Sequence, residues 1–225
     1  MAKQNDPMAA PKPLYQRWWA ILVFIVLVLI LIWLIALVLT LYADPLVDEN
    51  KQDPRTNPLT TDYDDDPHWG SQTALIKVVA FEDFTCLACG EAHQSLKNIR
   101  EEYSDKIYFV YRDFPIISSG STLAAMAAEC ADDQGKFWEM HDKLFENQQV
   151  ISEEYSKLFA SQIGLDINVF NTCLSSSTHR TEISNDLYEG YAAGASATPT
   201  FFINGVKFEG ALTEEMWRQI IDEFY

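Results

Sequence analysis

The apolar and polar positions divide the chain into three parts. Residues 18–41 are apolar throughout, with Thr40 the one clearly polar side chain. At about 1.5 Å per residue a helix of that run is roughly 36 Å long, enough for a hydrocarbon core of about 30 Å. Residues 43–71 are polar and acidic, with Pro45, Pro54, Pro58 and Pro67 and no hydrophobic period. They read as a linker or stalk. Residues 72–225 carry the periodicities of a folded domain.

Within that domain, residues 74–81 are apolar apart from Lys77, as in a central strand buried on both faces. After Cys86, apolar side chains at Cys89, Ala92, Leu96, Ile99 and Tyr103 mark one face of a helix. Residues 107–111 predict a second strand, and strand–helix–strand in one sheet implies a right-handed parallel unit. A block of helices follows. Leu123, Ala127, Cys130 and Ala131 mark the first, and Gly135 breaks it from a second on Phe137, His141, Leu144 and Phe145. Ser152 with Glu153 and Glu154 opens a third. Val169, Phe170, Cys173 and Leu174 make a short fourth, and residues 180–193 a fifth. Strands return at 200–203 and 206–208 around Asn204-Gly205, a two-residue hairpin signal. Thr213 caps a last helix carrying Trp217, Ile220, Ile221 and Phe224.

Charge sets the surroundings. The net charge of −17 excludes a nucleic-acid role, which needs Lys and Arg patches against phosphate. Lys3, Lys12 and Arg17 precede the apolar run, while Asp44, Asp48 and Glu49 follow it, with only Lys51 and Arg55 as nearby cations. The positive-inside rule then puts residues 1–17 in the cytoplasm, makes 18–42 a single-pass transmembrane anchor, and places everything beyond outside the cell membrane. A cleaved signal peptide is the rival reading, but its apolar region is usually about 7–15 residues, and Leu41-Tyr42-Ala43-Asp44-Pro45 is a poor cleavage site. The acids Asp62, Asp64, Asp65 and Asp66 lack the spacing and glycine of a calcium loop and read as solvated.

The chemistry centres on Cys86 and Cys89. A Cys-x-x-Cys where a strand runs into a helix places the first sulfur among the unpaired N–H groups of the helix N-terminus, which favour a thiolate. Cys89, in phase with the apolar stripe, is expected to be more buried than Cys86. A thiolate with a second cysteine one turn away is suited to thiol–disulfide exchange. A different class remains open: Cys86, Cys89 and His93 as a seed for a copper or zinc site, against which His93 reads as an exposed helix residue. His141 reads as core. Cys130 and Cys173, on apolar helix faces, are either two buried thiols or a disulfide.

Four segments in order carry a resemblance: Phe81-Glu82-Asp83-Phe84-Thr85-Cys86-Leu87-Ala88-Cys89; Tyr111-Arg112-Asp113-Phe114-Pro115; Gln134-Gly135-Lys136-Phe137-Trp138; and Thr198-Pro199-Thr200-Phe201-Phe202-Ile203-Asn204-Gly205. Together they resemble the DsbA-like thiol–disulfide oxidoreductases. The resemblance implies an α/β fold, a thioredoxin-like mixed sheet with a helical insertion over about 119–194. It implies Cys86 as nucleophile, Cys89 as resolving cysteine and Pro199 as a cis-proline beside them, with Thr198, Leu87 and Ala88 meeting substrate. Relatives with a second cysteine pair favour a structural Cys130–Cys173 disulfide. The implied partners are cysteine-containing exported proteins and a membrane quinone-linked thiol oxidase as reoxidant; no cofactor or metal is implied. Two departures stand out. Leu87-Ala88 replaces the Pro-His of the enteric enzyme, which leaves oxidation, reduction and isomerisation open. Ala80 occupies the position of the family's buried acid, so Glu82 or Asp83 becomes the expected proton relay.

Overall fold

A computed structural model describes residues 14–42 and 66–225, apart from Ser177. The chain divides into two compact units, residues 1–51 and 52–225. The first holds one helix, α1 (Leu14–Tyr42), whose side chains Trp18, Phe24 and Trp33 are exposed. The longest unbroken run of described side chains in α1 is 21–35, and no described stretch is by itself long and apolar enough to cross a membrane. Most of the expected cytoplasmic segment and the linker residues 43–65, including Asp62, Asp64 and Asp65, lie outside the described residues.

The second unit is built on five strands: β1 (His68–Gly70), β2 (Ile76–Glu82), β3 (Ile107–Asp113), β4 (Thr200–Ile203) and β5 (Val206–Glu209), in the order β1-β3-β2-β4-β5. β2 and β3 are parallel and joined through α2 (Leu87–Tyr103); the other neighbours are antiparallel. β2 lies in the middle of the sheet, which is why its residues are apolar on both faces. One face packs Val78, Ala80, Phe109, Tyr111, Phe201 and the helices; the other packs Val79, Phe81, Phe114 and Phe202. Asn204 (φ 49) and Gly205 (φ 82) turn the β4–β5 hairpin with both residues left-handed, as a primed turn requires.

Between the halves stand α3 (Ser121–Asp132), α4 (Phe137–Glu146), a single 3₁₀ turn at Gln148–Val150, α5 (Glu153–Gln162), α6 (Ile167–Ser175) and α7 (Arg180–Ala193); α8 (Glu214–Phe224) ends the fold. Cys130 on α3 and Cys173 on α6 are disulfide-bonded. They lie 43 residues apart in sequence, so opening the bridge releases a long loop in the unfolded chain. Replacing both cysteines with Ala is expected to cost about 3 kcal/mol, a melting temperature lower by about 6–12 °C, with exchange at Cys86 intact. Calorimetry checks this; an unchanged melting temperature contradicts it.

The folded part begins earlier than the linker boundary at 71 predicts. β1 pairs with β3, and Trp69 is buried, stacked on Phe109 at 5.1 Å between ring centroids. Three residues are too few to show a period of two. Gly70 (φ +92) sits so close to the Ile107 carbonyl that no side chain fits there. Asp66 is not part of a solvated run: it is buried, with Oδ2 accepting from Arg112 Nε at 2.9 Å. Arg112 also reaches Glu189 at 3.0 Å. That pairing lets β3 run past Tyr111 through Arg112 and Asp113, two residues beyond the end its apolar pattern predicts.

Candidate active site

The turn between β2 and α2 is held from several directions. Asp83 Oδ1 accepts from Thr85 N (2.8 Å) and Thr85 Oγ1 (2.9 Å), and Oδ2 accepts from Ile117 N (2.8 Å). Cys86 N donates to Asp83 O at 2.9 Å. From the insertion, Gln148 Nε2 donates to both Phe84 O (2.9 Å) and Cys86 O (2.7 Å). No sequence signal singles out Gln148, a polar residue in a polar run, because its role exists only once the insertion folds over α2.

Cys86 is the N-cap of α2, with extended backbone (φ −80, ψ 121) and no side-chain cap. Its sulfur therefore faces unpaired helix N–H groups. Thr198-Pro199 is a cis peptide bond, and Cys86 Sγ lies 3.2 Å from the Thr198 carbonyl oxygen. The Thr198 hydroxyl is buried and has no hydrogen-bond partner. The Cys86 thiol falls from 9.0 to about 5. The hydrogen bond from the Cys89 thiol is the largest cause; burial opposes it, and Thr198 with the N–H groups of Cys89 and Ala88 lowers it further. Cys89, fully buried, is pushed far above the thiol range by burial, by its hydrogen bond to Cys86 and by the nearby charge of Glu82. The two sulfurs are thus unequal: one exists as a thiolate near pH 7, the other as its proton donor.

The two acids expected as relays separate. Asp83 spends both carboxylate oxygens on the turn. Glu82 is 1% exposed, and neither of its oxygens has a hydrogen-bond partner. Burial, then the charge of Cys86, raises it from 4.5 to about 8. Ala80 and Glu82 are two apart on β2 and point to the same face. An acid is thereby returned to the face that Ala80 leaves empty.

Of the residues expected to meet substrate, Leu87 is 68% exposed, Ala88 is half-buried and Thr198 is buried beside the sulfur. Ile117, tied to Asp83 through its N–H, is also exposed. His93 departs from expectation. It is buried, stacked on Phe145 at 5.3 Å and against His141 at 5.3 Å between ring centroids, because position 93 lies four residues after Cys89 on the inward face. Burial lowers it to about 4 and lowers His141 as well. Among the described residues, no close group of three ligating side chains includes Cys86 or Cys89, so the structure does not assemble the Cys86–Cys89–His93 metal set.

A parallel β–α–β unit, a cis-proline strand and a helix-capping Cys-x-x-Cys, interrupted by a helical insertion, define a thioredoxin fold of DsbA-like arrangement. The Thioredoxin family model matches residues 62–223, most of the chain, and the chain belongs to that family. Solved structures agree on the fold. The chain is similar to α-DsbA1 of Wolbachia pipientis (TM-score 0.67, 24% identity, 75% of this chain and 95% of that one). It is also similar to the thiol-disulfide exchange protein α-DsbA2 of the same organism (0.65, 24%, 71% and 87%) and to oxidised BdbD of Bacillus subtilis (0.65, 21%, 71% and 92%). Among curated proteins, it is 34% identical over 142 residues to a Na(+)/H(+) antiporter NhaA of Herminiimonas arsenicoxydans and 33% over 156 residues to NhaA 1 of Salinispora arenicola. The chain spans about a quarter of the length of these relatives, 23% and 24%.

Proposed function

We propose that the protein is an extracytoplasmic thiol–disulfide oxidoreductase, tethered to the cell membrane by residues 18–42, that passes a Cys86–Cys89 disulfide to cysteine-containing exported proteins. The inequality of the two sulfurs carries this reading. A substrate thiolate attacks Cys86 Sγ; the Cys86–Cys89 bond breaks, and Cys89 leaves with the electron pair and takes up a proton, for which Glu82 is the nearby buried acid. A second substrate thiolate attacks the substrate sulfur of the mixed disulfide. Cys86 then leaves as a thiolate, the substrate is oxidised by two electrons, and the protein is reduced. A leaving thiol with a pKa of about 5 departs readily and makes the reduced form the favoured one, the property of an oxidant. A membrane quinone-linked thiol oxidase is the class of reoxidant that returns the disulfide.

The tether rests on the apolar run 18–41, its flanking charges and the α1 helix. Outside the cytoplasm a disulfide donor finds thiols to oxidise; inside, the thiol pool would keep it reduced. The likeness to α-DsbA2, a thiol-disulfide exchange protein, supports the same chemistry. The whole-length antiporters' transport is no part of this reading. Equilibration with glutathione tests the direction: a potential near about −120 mV is expected, and one near about −270 mV would make the protein a reductant. Protease added to intact spheroplasts is expected to remove the Cys86 domain; protection until lysis would reverse the topology.

A further inference from the structure

His93 and His141 play no part in the thiol chemistry, yet the fold brings them together with an acid. His93 is on α2, four residues beyond Cys89, while His141 and Asp142 are on α4 of the insertion. His141 Nδ1 lies 3.0 Å from Asp142 Oδ1, and His93 Nδ1 lies 3.9 Å from the same oxygen. One ligating atom from each of the three residues lies within 4.8 Å of the other two. Both imidazoles are buried, and His93 Nε2 is enclosed with no hydrogen-bond partner. A cavity of about 30 Å³, room for an ion and little more, opens beside them and is walled by Trp69, Phe109 and Trp138. The two cations at its rim are engaged elsewhere, Lys97 with Glu146 at 3.2 Å and Arg100 over the Trp138 ring at 4.7 Å.

We propose that His93, His141 and Asp142 form a site for a divalent transition metal of the zinc class, joining the active-site helix to the helical insertion. Two imidazole nitrogens and one carboxylate oxygen are a donor set for such a metal, with a fourth position left for water. Tetrahedral ligands at about 2.1 Å from zinc lie roughly 3.4 Å from one another, and the separations of 3.0 and 3.9 Å straddle that value. Asp142, half-exposed, has the freedom to close the set. On binding, neutral His141 carries its proton on Nε2 instead of Nδ1, and the metal takes the place of that proton between Nδ1 and Asp142. The inference does not depend on the direction of thiol exchange.

The test is titration of the full chain with Zn²⁺ in its Cys86–Cys89 oxidised form, so that those thiols do not compete. One equivalent is expected to bind and to raise the melting temperature. Asp142→Ala, at a half-exposed helix position, and His93→Gln are each expected to weaken binding at least about 10-fold. Co²⁺ in place of Zn²⁺ is expected to give visible bands without thiolate-to-cobalt charge transfer. No saturable binding at micromolar Zn²⁺ would overturn the proposal. So would an affinity unchanged in Asp142→Ala, a measurement that stands even if His93→Gln fails to fold. Loss of binding on His179→Ala instead would move the metal to the Glu129, His179 and Glu182 group and equally overturn it.

Discussion

A reduced Cys89→Ser variant is expected to stay joined to disulfide-bearing substrate proteins through Cys86, while Cys86→Ser captures none. Cys86 alone combines a low pKa with a place at the open helix end. Cys89 is fully buried, with its thiol hydrogen-bonded to Cys86. Serine at 89 keeps an O–H to donate to the Cys86 sulfur, so the thiolate survives, but the group that resolves the mixed disulfide is gone. Well-oriented neighbours act at effective molarities far above those of dissolved thiols, so escape is expected to slow by roughly 100-fold or more. Non-reducing electrophoresis of the captured species reads this directly. Capture that required Cys89 and survived loss of Cys86 would reverse the roles.

Glu82→Gln is expected to separate stability from turnover. The carboxyl of Glu82 is buried without a partner and held neutral up to about pH 8. In the unfolded chain it ionises near 4.5. A folded pKa above the unfolded one means that its contribution is most favourable below pH 4.5 and is lost as pH rises towards 8. Gln is neutral throughout. The variant is therefore expected to match the parent near pH 4 and to be more stable at pH 7.5, by on the order of 4 kcal/mol. Turnover moves the other way. Without a carboxyl to give the proton as Cys89 leaves, or, in its ionised fraction, to take it as Cys89 attacks, the step is expected to slow about 10–100-fold near pH 7 and to recover as hydroxide replaces the lost base. Denaturant melts at the two pH values and single-turnover exchange rates measure both. A stability difference that did not change with pH, with exchange unaffected, would make Glu82 an idle core acid.

Much of this is legible in the sequence because the relevant signals are local. The apolar run into Cys86, the stripe through Cys89 and Leu96, and the Asn204-Gly205 turn each depend on residues a few positions apart. The different places of Cys86 and Cys89 are legible too, one at the helix N-terminus and the other in phase with the apolar stripe. Three features depended on distant partners and were not legible. Asp66 looks like one acid among four until Arg112, 46 residues on, claims it. Gln148 looks like loop until the insertion folds onto the turn, where it holds Phe84 and Cys86. His93 looks solvated until α4 closes over it with His141 and Phe145. Glu82 and Asp83, adjacent in sequence, were indistinguishable until hydrogen bonding showed one committed to the turn and the other enclosed alone.

The central claim is that Cys86 is a stabilised thiolate, and its ultraviolet thiolate absorbance followed against pH in the reduced protein, with Cys86→Ser as the blank, measures it most directly. Because the folded pKa is depressed, the stabilisation of the reduced fold is complete above about pH 9 and is lost as pH falls through about 5. The account predicts a single thiolate that titrates with a midpoint near pH 5 and is present almost entirely at pH 7. A midpoint near 9, that of an ordinary thiol, would contradict it.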